Sequence, residues 1–305
     1  MLAQGKRAVL VLLVLGCGVP CSAQLAAPNA TGVAMGHLHY RVRDVEANKR
    51  FWIALGGKEV RRGRLHPSTT ARGDLSQVEG QAAQTDVVVQ FQDVLVFLAK
   101  GESSGGTEGS VVNHVAFRVL SLATVEAAGL TVARLKQFPG VASVMSPEGE
   151  RVELFENSAT NLSFVQDAGF DDAVARRHNA PVSLPIAFHH VHLYVPDGQV
   201  AAAKAWYARI FGGTPGKRSN YDAVDLPGIN LNFSSAPMPT APTRGRMLDH
   251  IGFEVRGLAA FCKRLDAMGV TLDVPYAKGP SGTATASLTD PWGTSIELTE
   301  GLGGL

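Results

Sequence analysis

Residues 187–197 read Ala-Phe-His-His-Val-His-Leu-Tyr-Val-Pro-Asp, with three histidines among four consecutive positions. The β-branched and aromatic residues around them predict a strand. Three other stretches line up with the second histidine: His37-Leu-His-Tyr-Arg-Val42, His114-Val-Ala-Phe-Arg-Val119 and His250-Ile-Gly-Phe-Glu-Val255, beside His190-Val-His-Leu-Tyr-Val195. Each opens on His, reaches Val five residues later and has the composition of a strand. Such self-similarity points to internal repetition. In this register His190 is the repeated residue. His192, two positions on, shares its face of the strand, and His189 alternates to the opposite face.

A helical pattern follows each of these strands. Asp44 can cap a helix carrying Ala47, Phe51, Trp52 and Leu55 on one face, stopped by Gly56-Gly57. The third strand leads to Val200, Ala203, Tyr207, Ile210 and Phe211, stopped by Gly212-Gly213, and the fourth to Leu258, Phe261, Cys262, Leu265 and Met268, stopped by Gly269. The second helix is expected from Ser121 with Leu122, Val125, Val132 and Leu135 as its face, interrupted by Gly129. Two further strands per unit are predicted in 86–100, 141–156, 221–234 and 284–300. Ser146-Pro-Glu-Gly-Glu-Arg-Val-Glu153 and Asp290-Pro-Trp-Gly-Thr-Ser-Ile-Glu297 are matching turn-strand elements, each with Glu in the same place. The chain thus reads as an α+β protein of four β-α-β-β-β units in two tandem pairs. The expected N-terminal domain spans 33–158, a linker 159–186 and the C-terminal domain 187–302.

The 305 residues carry 28 basic and 27 acidic side chains. With no basic block, nucleic acid or an anionic membrane surface is not an expected partner. Lys6 and Arg7 precede the apolar run Ala8–Leu15 and the small residues Ser22 and Ala23. This layout predicts a signal peptide over 1–23 and a periplasmic or secreted mature protein, and the run is too short to span a membrane. "VLGC" (14–17) resembles a lipobox, which would make Cys17 a lipid anchor. Cleavage after Ala23 leaves Cys262 as the remaining cysteine, read as a buried thiol, so no intramolecular disulfide is expected.

The strand-opening His and the Asp-Pro-x-Gly-x-x-x-Glu turn-strand resemble the vicinal oxygen chelate superfamily, which includes glyoxalase I, extradiol dioxygenases and the fosfomycin and bleomycin resistance proteins. The resemblance covers nearly all of the mature chain. It implies that two units pair into a cupped sheet whose cavity receives metal ligands from the first and last strands of each unit. Carried over, it gives His190, His250 and Glu297 in the C-terminal pair, with Asn230 or Asn232 in the fourth place. It gives His37, His114 and Glu153 in the N-terminal pair, with an apolar residue near Val94 or Val96 in the fourth.

Two imidazoles and a carboxylate suit divalent Fe, Mn, Zn, Ni or Co. They leave positions for a small-molecule substrate that chelates through vicinal oxygens. The implied activity is that of a metal-dependent lyase, isomerase or dioxygenase, with His192 as candidate acid/base group. Departures from the family patterns bear on the reaction. Ser287 stands where extradiol enzymes carry Tyr, 277–286 holds no His, and Asn230 replaces the second carboxylate of glyoxalase I. The alternative is a non-catalytic small-molecule binder of the bleomycin-resistance type. A monomer is feasible, since two pairs complete both cavities within one chain; a homodimer is the other expected state.

Overall fold

The computed structural model describes residues 25–60, 87–157, 163–169, 182, 184–279 and 282–302. The leader expected over 1–23, with Cys17, lies outside the described residues, as does most of the expected linker.

The four units are present. The first is β1 (Val33–Val42), α1 (Val45–Ala54), β2 (Lys58–Glu59), β3 (Val87–Phe91) and β4 (Val94–Lys100). The second is β5 (Val112–Val119), α2 (Leu122–Ala127), β6 (Ala133–Arg134), β7 (Val141–Met145) and β8 (Arg151–Glu156). After β9 (Phe164–Gln166) comes the third: β10 (Ile186–Val195), α3 (Val200–Phe211), β11 (Thr214–Arg218), β12 (Tyr221–Leu226) and β13 (Ile229–Ser235). The fourth is β14 (Leu248–Val255), α4 (Leu258–Ala267), β15 (Val274–Lys278), β16 (Ala284–Thr289) and β17 (Ser295–Glu300).

The local chemistry explains the boundaries. The Asp44 carboxylate accepts from the Ala47 N–H at the start of α1, and Gly212 closes α3 in the left-handed conformation at φ 68°. The second helix is shorter than its apolar pattern predicts. It ends at Ala127 ahead of Gly129 (φ 87°), so Val132 and Leu135 fall beyond it. The expected linker carries a strand: β9 pairs with β11 at the edge of a sheet.

The pairing of units differs from expectation. One sheet runs β15-β16-β17-β14-β1-β4-β3-β2 and the other β6-β7-β8-β5-β10-β13-β12-β11-β9. The first unit therefore shares a sheet with the fourth, and the second with the third. Antiparallel β1·β14 and β10·β5 are the central seams. Two crossovers make this possible. Segments 101–111 and 236–247 run between the sheets and hydrogen-bond to each other, Ser104 N–H to Gly245 C=O at 2.8 Å and Met247 N–H to Gly105 C=O at 2.9 Å. The Arg246 side chain donates to the carbonyls of Gly106 and Glu108.

Consecutive units still meet, through aromatic residues of the shared core rather than through a sheet. Trp52 lies 5.9 Å from Phe117 and Phe211 4.6 Å from Phe253, ring centre to ring centre. One buried cluster contains residues of both sheets and all four helices. Burying that much apolar surface stabilises an arrangement in which each sheet is completed by the other half of the chain. The turn before β8 adds a polar tie, since the Glu148 carboxylate accepts the N–H groups of Arg43 and Asp44 at the entrance to α1.

Candidate metal centres

The exchanged pairing regroups the predicted ligands. His190, His250 and Glu297 do not form one site, nor do His37, His114 and Glu153. The structure brings together His37, His250 and Glu297 on the first sheet, and His114, His190, His192 and Glu153 on the second. The reason is topological. A ligand carried on the first strand of a unit follows the seam, and each seam joins units that are not consecutive.

On the first sheet, His37 Nε2 lies 3.0 Å and His250 Nε2 3.4 Å from the same Glu297 oxygen, Oε2. The imidazoles of His37 and His250 are 5.5 Å apart and both are buried. Gly252 sits opposite His37 in register, and a Cβ there would fall 2.0 Å from the His37 ring, so only glycine admits the imidazole. Asp249, the residue before the ligand, places Oδ1 2.8 Å from His250 Nδ1. This holds a proton on Nδ1 and aims Nε2, 3.4 Å from Glu297 Oε2, into the cluster. The parallel partner of His37 on β4 is Leu95, so the apolar fourth place belongs to Leu95 rather than to Val94 or Val96.

The electrostatics follow from this packing. Burial depresses the His250 pKa, but Asp249 and Glu297 outweigh it and lift the group to about 9. Burial alone would raise Glu297; its contacts with His250 and His37 instead pull it well below the carboxylate range. His37 is lowered by burial. The site opens on a cavity of about 480 Å³ lined by His39, His250 and Glu297, with Arg41, Lys100 and Arg244 on its wall. Ser287, opposite Glu297 in register, lines it too, its Oγ buried without a partner.

On the second sheet, Glu153 Oε2 lies 3.2 Å from His114 Nε2 and 3.5 Å from His190 Nε2. Asn230 is the register partner of His190 and Asn232 that of His192, so Asn230 holds the fourth place. Its side-chain N–H group donates to Asp225, and its Oδ1 has no hydrogen-bond partner. Asn113 contacts His114 Nδ1 at 2.8 Å, in the place where Asp249 contacts His250. Two guanidiniums adjoin the group. Arg151 Nη2 is 2.8 Å from His114 Nδ1, and the buried Arg218 donates to Asn232 and lies over the Phe155 ring. Burial and the Arg218 charge hold His190 well below its ordinary value, and burial with His114 and Arg218 brings His192 to about 2. His192 Nε2 pairs with Ser234 Oγ at 2.8 Å.

Alternation misplaces His189. The β10·β5 register skips from Phe188↔Phe117 to His190↔Ala116, so His189 is the extra residue of a bulge. It is buried, with Nδ1 2.8 Å from His190 Nδ1. Gly36 holds the same place in β1. Two members of the first site, His39 and Asp249, were not singled out from sequence. The His-x-His repeated at 37–39 and 190–192 was the signal for the one, and the Asp before the ligand for the other.

Residues 187–298 match the family described as Glyoxalase/Bleomycin resistance protein/Dioxygenase superfamily. Among solved structures, glyoxalase I from Zea mays is 15% identical at a TM-score of 0.57, covering 88% of this chain and 92% of its own. A mutant of that enzyme gives 0.59, also at 15% identity, with 88% and 94% covered. A putative dioxygenase from Bacillus subtilis gives 0.57 at 12% identity, with 91% and 86% covered. No curated relative matches the sequence. At these identities the structural likeness is one of fold. The 187–298 segment is thus similar in sequence to the glyoxalase, bleomycin-resistance and dioxygenase group, and nearly the whole chain shares the fold of glyoxalase I.

Proposed function

We propose that the protein is a divalent-metal-dependent enzyme acting on a small molecule with vicinal oxygens, its metal held by His37, His250 and Glu297. The observation that carries this reading is the convergence of His37, His250 and Glu297, two of which, His250 and Glu297, line the 480 Å³ cavity, with Asp249 orienting the His250 ring. A divalent cation there would polarise the substrate oxygens as a Lewis acid. The chain's own residues supply the rest. Asp249 orients His250, Gly252 makes room for His37, and His39 stands beside His250 with ring centres 4.5 Å apart. Leu95 in the fourth place leaves the substrate side without a second carboxylate, which speaks against proton transfer of the glyoxalase I kind. Ser287 in place of Tyr speaks against an extradiol proton donor. A two-histidine, one-carboxylate set with open positions suits Fe(II), and Mn(II), Zn(II), Ni(II) or Co(II) share its donor preferences.

The role proposed from sequence for His192 finds little support, because a group with a pKa near 2 is a poor proton acceptor at neutral pH. The Lys6–Ala23 segment supports export of the mature protein, on sequence alone. Among the described residues, no helix is long and apolar enough to cross a membrane.

Metal analysis of the reconstituted protein tests the reading. One divalent ion per chain is expected, lost in His250→Ala and kept in His114→Ala. A wild-type protein that takes up no metal would instead favour the non-catalytic binder.

A further inference from the structure

The cavity wall carries more positive charge than its floor can use. Arg41 follows His39 by two residues on β1, so both side chains leave the same face of the strand. Lys100 ends the neighbouring strand β4, and Arg244 lies in the crossover that leads into β14. Arg244 is neutralised by Asp273 at 2.9 Å. Among the described residues, Arg41 and Lys100 have no carboxylate partner; the Arg41 Nε donates to the Glu102 carbonyl. The two acids of the lining are already committed. Asp249 accepts from Gly245 N–H and contacts His250, and Glu297 lies between His37 and His250. A divalent cation with one carboxylate ligand leaves the floor net positive as well. Two cations without a carboxylate partner among the described residues, on the wall above a positive floor, repel it and each other unless something negative lies between them.

We infer that the substrate is itself an anion: a small molecule that presents vicinal oxygens to the floor and an oxyanion group, carboxylate or phosphonate, to Arg41 and Lys100 on the wall. The inference rests on the proposed function and adds the substrate's charge to it. Arg41 offers a planar fork for the oxyanion, and Lys100 a compact charge beside it. The volume suits a ligand of this size, which lies at the lower end of small-molecule pockets.

The test compares two probes that share the chelating pair and differ by one carboxylate, catechol and 3,4-dihydroxybenzoate, titrated into the Mn(II)-reconstituted protein. A 3,4-dihydroxyphenylphosphonate arm distinguishes the two oxyanions. Wild type is expected to bind the benzoate or the phosphonate at least about tenfold more tightly than catechol, with a preference that shrinks as salt rises. Arg41→Gln and Lys100→Gln should each erode that preference, read within each variant as the ratio of the catechol Kd to the benzoate or phosphonate Kd. Equal affinity for the three probes in wild type overturns the inference alone, as does a preference unchanged in both variants. Failure of a metal-loaded protein to bind catechol overturns the chelation reading, and the inference with it.

Discussion

The two concave faces carry the same donors at repeat-equivalent places, yet they are built to hold different charge. On one, Asp249 precedes His250, Gly252 admits His37, and the cluster opens on a cavity. On the other, Asn113 precedes His114, Ala116 stands opposite His190, and Arg218 and Arg151 press positive charge against the histidines. On the first, burial lowers His250 but the Asp249 and Glu297 carboxylates outweigh it and raise the group; on the second, burial depresses His190 and the Arg218 charge adds to it. Duplication preserves ligand type, but the residue before the ligand and the side chains across the sheet decide whether the group attracts a cation.

The sharpest way to break the comparison is to remove the carboxylate from each face in turn. Glu297→Gln is expected to abolish metal uptake, taking the content from about one ion per chain to none, because the two imidazoles lose their anionic partner. Glu153→Gln should leave the content unchanged, as measured by elemental analysis. Loss of metal in Glu153→Gln alone would exchange the roles of the two faces. Gly252→Ala comes next. The added methyl would displace the His37 ring, with overpacking costing about 1–3 kcal/mol in thermal or denaturant unfolding and weakening the metal site as well. Its mirror, Ala116→Gly, should leave metal content untouched. Asp249→Asn makes the first face resemble the second, and a decrease in metal affinity of about 10–100-fold is expected by competition with a chromophoric chelator. An unchanged affinity would remove Asp249 from the site.

The sequence revealed more of the parts than of their assembly. The register of His37, His114, His190 and His250 was legible because strand composition and a fixed spacing recur four times. The caps at Asp44 and Gly212 were legible because they are local chemistry. Which units share a sheet was not. Each unit offers an equivalent first strand, and the choice is made by contacts remote in sequence, such as Phe211 with Phe253 and the paired crossovers. The bulge at His189 was hidden as well, because a one-residue insertion in pairing leaves no trace in an alternating pattern. The cationic wall was hidden for a related reason. Arg41 and Lys100 lie at the ends of neighbouring strands of the first unit, far apart in sequence, and Arg244 joins them from a crossover only once the first and fourth units are paired.

The finest distinction between the faces is in protons. In the metal-free protein His250 has a pKa of about 9, so at neutral pH it carries a proton on each nitrogen. The Nδ1 proton is held by Asp249, so a metal must displace the one on Nε2. Each ion bound at pH 7 should therefore release about one proton. Affinity should rise about tenfold per pH unit towards pH 9 and level off above it. His114 and His190 are lowered below 6.5, and a metal forced onto the second face would displace none from them. The raised His250 pKa also stabilises the metal-free fold below the unfolded value of about 6.5. That contribution fades as pH rises through 9, whereas the metal-loaded protein should lack this slope. Calorimetric titrations in two buffers of different ionisation enthalpy measure the proton count directly. A count of zero at pH 7 would show that His250 is already neutral, and the Asp249–His250–Glu297 arrangement would then lose the charge that sets this face apart.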